Sequence, residues 1–224
     1  MSAQAEASKK PEGRSRTLVI GVLALTLAVM VLGAAVLVVK LRPDSSAPSK
    51  TEQALSAWEQ AVAEDPESAE AQTGLGMALL GVGQIEKAQT AFEEALRLAP
   101  GSWMANFQLG LLLREINPDR ALVLLRAAAK KSAPEDKAVV LVATGDFLLG
   151  QGDAEGARDA YQLSIANLPY LFDSHFGLAQ AFEQLGERRR AIKEYEEALR
   201  FAPGDERIME ALDRLKHDNT QDGS

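Results

Sequence analysis

Few residues in this chain have the type and spacing to do chemistry. His175 and His217 are the only two histidines and stand 42 residues apart. Neither has a neighbour at the spacing of a metal ligand or a general base, so both are expected to serve structure. The chain has no cysteine, which removes thiolate ligands, thiol nucleophiles and disulfides together, and leaves the redox compartment unread. Gly74-Leu75-Gly76 is too short for a nucleotide fingerprint, and no phosphate loop, nucleophile elbow or HExxH helix is present. Glu93-Glu94 and Glu194, Glu196 and Glu197 fall on predicted helix faces, where solvated surface is the reading. Arg188-Arg189-Arg190 is the dense basic run; at the start of a predicted helix its cations oppose the macrodipole, and it too reads as surface. The pattern predicts no enzyme, no cofactor and no metal.

Composition frames what must position these residues. The chain has 224 residues, 46% hydrophobic and only 5% aromatic, with a formal net charge of −8. Alanine and leucine supply most of the apolar surface, which suits closely packed helices. The amino-terminal 16 residues are net basic, so the acidity lies in the remainder. A surface of that sign is a poor partner for nucleic acid, and none is expected.

The organising feature is a repeat. Leu75-Gly76, Gly83, Ala88, Phe92, Ala95 and Pro100 recur as Thr144-Gly145, Gly152, Ala157, Tyr161, Ser164 and Pro169, then as Leu178-Ala179, Gly186, Ala191, Tyr195, Ala198 and Pro203. The period is 34 residues, with an intermediate copy marked by Leu109-Gly110, Ala121, Leu125 and Ala128. Such self-similarity predicts an array of stacked units. Counting Ala69 as place 1, the small residue at place 8 and those at places 20 and 27 let two helices approach closely. Glycine at place 15 takes the left-handed conformation that ends the first helix. The aromatic at place 24 fills the space the small residues leave, and proline at place 32 stops the second helix. Each unit is therefore a helical hairpin.

A hairpin of this length with these positions resembles the tetratricopeptide repeat (TPR), and the resemblance covers Thr51–His217. The chain departs from the family at Gln72, Leu141 and His175, which stand where it often has tryptophan. The turn of its second repeat is one residue short, with Ile116-Asn117-Pro118-Asp119 in place of the glycine turn. The resemblance implies an all-α solenoid whose first helices line a concave groove. In the family, places 2, 5, 9, 12 and 13 point into that groove. The groove residues implied here are Thr73, Met77, Leu80, Met104, Phe107, Leu111, Val142, Asp146, Leu149, Phe176, Gln180 and Glu183, with Arg114, Val139 and Asp173 on the same places. That groove is apolar in its middle and acidic toward its end. It lacks the Lys, Arg and Asn cluster with which some relatives clamp a carboxylate tail, so an apolar or amphipathic protein segment is the expected partner.

Taken in order, residues 1–16 form a polar tail expected to be disordered. Thr17–Val39 is 23 residues without a charge, about 34 Å as a helix against a hydrocarbon core of ~30 Å, and reads as a transmembrane anchor. It is longer than the apolar region of a cleaved signal peptide, and Ala24 and Ala28 form a small-xxx-small pair within it. Lys9, Lys10, Arg14 and Arg16 before the helix outnumber Lys40, Arg42 and Lys50 after it, which favours a cytoplasmic amino terminus and an extracytoplasmic array. Residues 40–50 are a Pro/Ser linker. Residues 51–68 place Ala54, Trp58, Ala61 and Pro66 at places 20, 24, 27 and 32, a half repeat without its first helix. Four repeats follow at 69–102, 103–137, 138–171 and 172–205, then a capping helix at 206–217, with Ile208, Leu212 and Leu215 on one face, and a polar tail at 218–224. The expected function is a membrane-anchored scaffold or assembly factor that binds protein. The chain looks like single-anchor bacterial envelope TPR proteins, including those that hold apocytochrome during cytochrome c maturation. A non-catalytic subunit of an envelope enzyme complex is the other reading.

Overall fold

Small residues decide how near the helices of each hairpin come, and the structure shows the consequence at every repeat. The computed structural model describes residues 49–217; the expected tails 1–16 and 218–224, the anchor 17–39 and nearly all of the linker 40–50 lie outside the described residues. Ten α-helices and no strand occur among the described residues: α1 (Lys50–Glu64), α2 (Ala69–Gly81), α3 (Ile85–Leu98), α4 (Trp103–Leu113), α5 (Pro118–Lys131), α6 (Pro134–Gly150), α7 (Ala154–Asn167), α8 (Phe172–Gln184), α9 (Arg188–Phe201) and α10 (Glu206–His217). None of these helices is long and apolar enough to cross a membrane. Helices α2–α9 pair as four antiparallel hairpins; α1 precedes them and α10 follows, each without a hairpin partner among the described residues.

Local chemistry sets the ends. Ser68, Ser102, Asn117 and Asp153 accept hydrogen bonds from backbone N–H groups three residues on, capping α2, α4, α5 and α7. Gly83, Gly152 and Gly186 occupy place 15 with φ of 75°, 81° and 72°, the left-handed region that glycine enters without steric cost. The second repeat makes its turn differently. Asn117, at φ −148°, caps α5 by accepting from Arg120 N, and Pro118 sits at the first helical position, where its missing N–H costs nothing. The turn thus needs no left-handed residue, which is how it dispenses with both the glycine and one residue of length. Helix α6 begins at Pro134, four residues ahead of the repeat boundary at 138.

Places 20, 24 and 27 are closed to solvent in all four hairpins: Ala88, Phe92, Ala95; Ala121, Leu125, Ala128; Ala157, Tyr161, Ser164; and Ala191, Tyr195, Ala198 are at most 2% exposed. A Cβ added at Gly76 would lie 2.5 Å from the Phe92 ring, so the glycine is what lets the ring reach α2. The core forms two clusters, one around Leu79, Phe92, Leu109 and Leu125, the other around Tyr161, Phe182, Tyr195, Ile208 and Leu212. Adjacent residues of α6 join them: Phe147 belongs to the first cluster and Leu148 to the second. Ile208, Leu212 and Leu215 are buried as the capping helix requires.

Candidate functional site

The groove residues fall into three groups. At the carboxyl end, Leu149, Phe176, Gln180 and Glu183 line a cleft of about 600 Å³, together with Tyr195 of α9 and Arg207, Glu210, Ala211 and Arg214 of α10. The 3.6-residue period places Phe176, Gln180 and Glu183 on successive turns of one face of α8. Phe176 is half-buried, stacked on Phe172 at 5.7 Å between centroids and edge-on to Tyr195 at 5.8 Å. The Arg207 guanidinium sits 4.9 Å over its ring, a cation–π contact. Asp205 holds that guanidinium through hydrogen bonds at 2.7 and 3.1 Å, and the arginine in turn lowers the Asp205 pKa below the usual carboxylate range.

At the amino end, Thr73, Met77 and Met104 border a cleft of about 410 Å³ with Trp58 and Gly74. The Gln108 amide lies 3.6 Å from Met77 Sδ and 3.9 Å from Met104 Sδ, donating to both thioethers. Met77 is exposed, whereas Thr73 is buried and donates its hydroxyl proton to Ala69 O at 2.7 Å. Thr73 therefore shapes the cleft wall more than it offers a free polar group. In between, Leu80, Phe107 and Leu111 are half-buried against the first core cluster and Val142 against the second. Of the residues on the same places, Val139 and Asp173 are exposed and Arg114 is half-buried, its Nε donating to Leu111 O.

The groove acids are already engaged. Asp146 accepts a hydrogen bond from the Tyr161 hydroxyl, and Glu183 accepts one from the Tyr195 hydroxyl and pairs with Arg214 at 2.7 Å. Burial raises the Asp146 pKa, the Tyr161 bond opposes that rise, and nearby Asp173 adds to it. Burial and the neighbouring carboxylates push both tyrosines above their ordinary value. No group of three or more His, Asp or Glu is arranged to hold a metal among the described residues.

The residues missed in the sequence come from α10. Continuing the same register one helix further puts Arg207, Glu210 and Arg214 at places 2, 5 and 9 of a fifth first helix, which is where the cleft uses them. On the opposite side, the place-4 departures have structural consequences. Gln72 with Leu75, Leu79, Ala91 and Glu94 borders an open slot of about 700 Å³. In the equivalent slot of the fourth repeat, His175 bonds Glu194, and about 300 Å³ is left.

Parts of this array match the tetratricopeptide repeat. The tetratricopeptide repeat family profile matches residues 47–108 and again residues 172–205, and no curated protein matches the chain in sequence. Among solved structures, the chain is similar to MamA, with 20% identity, a TM-score of 0.60 and coverage of 70% of this chain and 96% of that one. A MamA from Desulfovibrio magneticus RS-1, covering residues 41 to its end, gives 21% identity and a TM-score of 0.61 over 70% of this chain and 89% of its own. YrrB, described as a TPR protein with an unusual peptide-binding site, gives 21% identity and a TM-score of 0.60 over 72% and 83%. At these identities the likeness concerns the fold.

Proposed function

We propose that this protein is a TPR scaffold that holds a protein segment in its groove, tethered to a membrane by Thr17–Val39 with the array on the extracytoplasmic side. The observation that carries the first part is the cleft at Phe176. It brings apolar Leu149, Phe176 and Ala211 together with polar Gln180, Glu183, Arg207, Glu210 and Arg214, a composition that can take an apolar anchor and orient it with a few polar groups. YrrB, of the same fold, carries a peptide-binding site, which supports a binding role for this array. The rim holds both signs of charge, which suits an amphipathic segment better than a strongly acidic or basic one. The tether rests on the uncharged 23-residue run and on the excess of cations before it.

A photo-crosslinker at Gln180 in intact cells should capture a partner that the same probe at Val123, exposed elsewhere on α5, does not; equal capture at both positions would remove the groove as the site. The tether is tested separately. The chain has no cysteine, so Ser46→Cys supplies a unique thiol. A membrane-impermeant maleimide should label it in intact cells, and protection until lysis would reverse the orientation.

A further inference from the structure

Helix α1 is a second helix with no first helix before it among the described residues, and the four complete hairpins show what such a helix covers. Places 20, 24 and 27 are sealed in every complete repeat, yet in α1 Ala54 is exposed and Trp58 and Ala61 are only half-buried. Among the described helices that carry a burial assignment, α1 alone has no fully buried residue. One side of Trp58 is seated: a Cβ at Gly74 of α2 would lie 2.5 Å from its ring. Tyr161, at the same place in a complete repeat, is held on two sides, by Gly145 of its own first helix and by Gly177 of the next. Among the described residues, Gly74 is the one glycine set against Trp58.

The sequence of α1 says what fits there. At 100° per residue, Lys50, Ala54, Ala57, Ala61 and Glu64 fall on one face beside Trp58. An antiparallel second copy of α1, with its two-fold axis at Ala57, sets Lys50 of each chain against Glu64 of the other. The same axis sets Ala57 against the partner copy's Ala57, with each Trp58 at the edge of that alanine seam. Both ends are then charge-matched. First and second helices of a hairpin run antiparallel, so one isologous contact completes both half repeats at once, and two-fold pairing is the commonest symmetric assembly. A parallel pair would set Lys50 on Lys50 and Glu64 on Glu64. The exposed end of the array differs: α10 presents Asp213, Arg214 and Lys216 outward, as a cap does.

We infer that α1 is a homodimerisation surface, in which a second copy of this chain supplies the helix that the opening half repeat lacks among the described residues.

The test uses the purified full chain, in detergent if it fractionates with membranes. Ala57→Cys places two thiols on the proposed axis, where the reach of a disulfide is satisfied, and mild oxidation should give a covalent dimer. Val123→Cys, a residue 67% exposed on α5, should stay monomeric. Lys50→Glu should lower the dimer fraction severalfold, and adding Glu64→Lys should restore it, with circular dichroism confirming the helix content of each variant. A rescue of that kind reports pairing and not folding. A monomeric mass for the wild-type chain, equal crosslinking at Ala57 and Val123, failure of the double charge swap to rescue, or capture of a different protein at Ala57 would each overturn the proposal.

Discussion

The Tyr161 hydroxyl donates a 2.7 Å hydrogen bond to Asp146 Oδ1, running from the packed interior of the third hairpin out to its groove face. Phe92 and Leu125 hold the same place in the first two hairpins and have no such arm. In the fourth, Tyr195 repeats the arrangement with Glu183. The acidic end of the groove is thus fastened by the aromatics that fill the hairpins. Its carboxylates are positioned before any partner arrives.

Tyr161→Phe isolates this tie, because the ring stays in place and only the hydroxyl is lost. Asp146 can turn to water, so the cost in stability should be about 1 kcal/mol. The bond opposes the burial that raises the Asp146 pKa, so its loss should move that pKa further up. A carboxyl carbon NMR titration of the variant beside the wild type checks this, and an unchanged Asp146 titration would sever the link.

The array was legible because its period is written in small residues. Gly83, Gly152 and Gly186 give the turns, and Ala88, Ala121, Ala157 and Ala191 give the contacts; these positions admit few other residues, so type implies role. The groove was less legible. A period assigns a face, and Phe176, Gln180 and Glu183 of that face border one cleft, but the period could not show that Thr73 satisfies its hydroxyl on Ala69 O. Nor could it show that Tyr161 and Tyr195 reach through to the groove acids, since a tyrosine and a phenylalanine satisfy the same packing pattern. Arg207 and Arg214 escaped notice because α10 reads first as a cap, and a cap is judged by its buried side.

Close approach and backbone conformation are separable at two glycines. Gly177 lies under the Tyr161 ring, with which an added methyl would collide. Gly83 has nothing within 4 Å of its missing Cβ but sits at φ +75°. Gly177→Ala should cost about 1–3 kcal/mol as overpacking and should also disturb the Tyr161 bond to Asp146. Gly83→Ala should cost about 1 kcal/mol from the left-handed backbone and leave that bond intact. Urea melts with tyrosine fluorescence distinguish the two; equal effects on both observables would show that the glycines share one role.

Phe176 and Phe92 separate binding from packing. Phe92 is fully buried, so Phe92→Ala should cost about 3–5 kcal/mol of stability. Phe176 is half-buried and carries Arg207 on one face, so Phe176→Leu keeps most of its contact with the core and removes the aromatic surface. Stability should fall by no more than about 1.5 kcal/mol, while capture of a partner by the Gln180 photo-crosslinker falls about tenfold or more, the loss typical of an aromatic anchor worth ~2 kcal/mol. A variant that melts as early as Phe92→Ala would make Phe176 a core residue and move the binding site elsewhere in the groove.

His175 makes the array sensitive to pH. Its Nδ1 lies 2.9 Å from Glu194 Oε2 and its Nε2 lies 3.1 Å from Pro169 O. Both partners are acceptors, so the imidazolium satisfies both bonds and either neutral tautomer leaves one nitrogen facing an acceptor without a proton. The Glu194 bond, with smaller help from Pro169 and Glu197, raises the His175 pKa against the burial that would lower it; Lys193, on the same helix, lines the slot as well. A group whose folded pKa lies above its unfolded value stabilises the fold fully below the unfolded value, about 6.5 for histidine. That contribution is lost as pH rises through the folded pKa. The wild-type chain should therefore gain stability over His175→Gln at pH 6 and lose most of that advantage by pH 9. Hydrogen bonds to charged groups contribute about 1.5–3 kcal/mol, which sets the scale of the advantage at the acidic end. His217 is present in both proteins, so the difference between their melting curves isolates His175. An advantage that is constant from pH 6 to pH 9 would show that the ring acts by its shape alone.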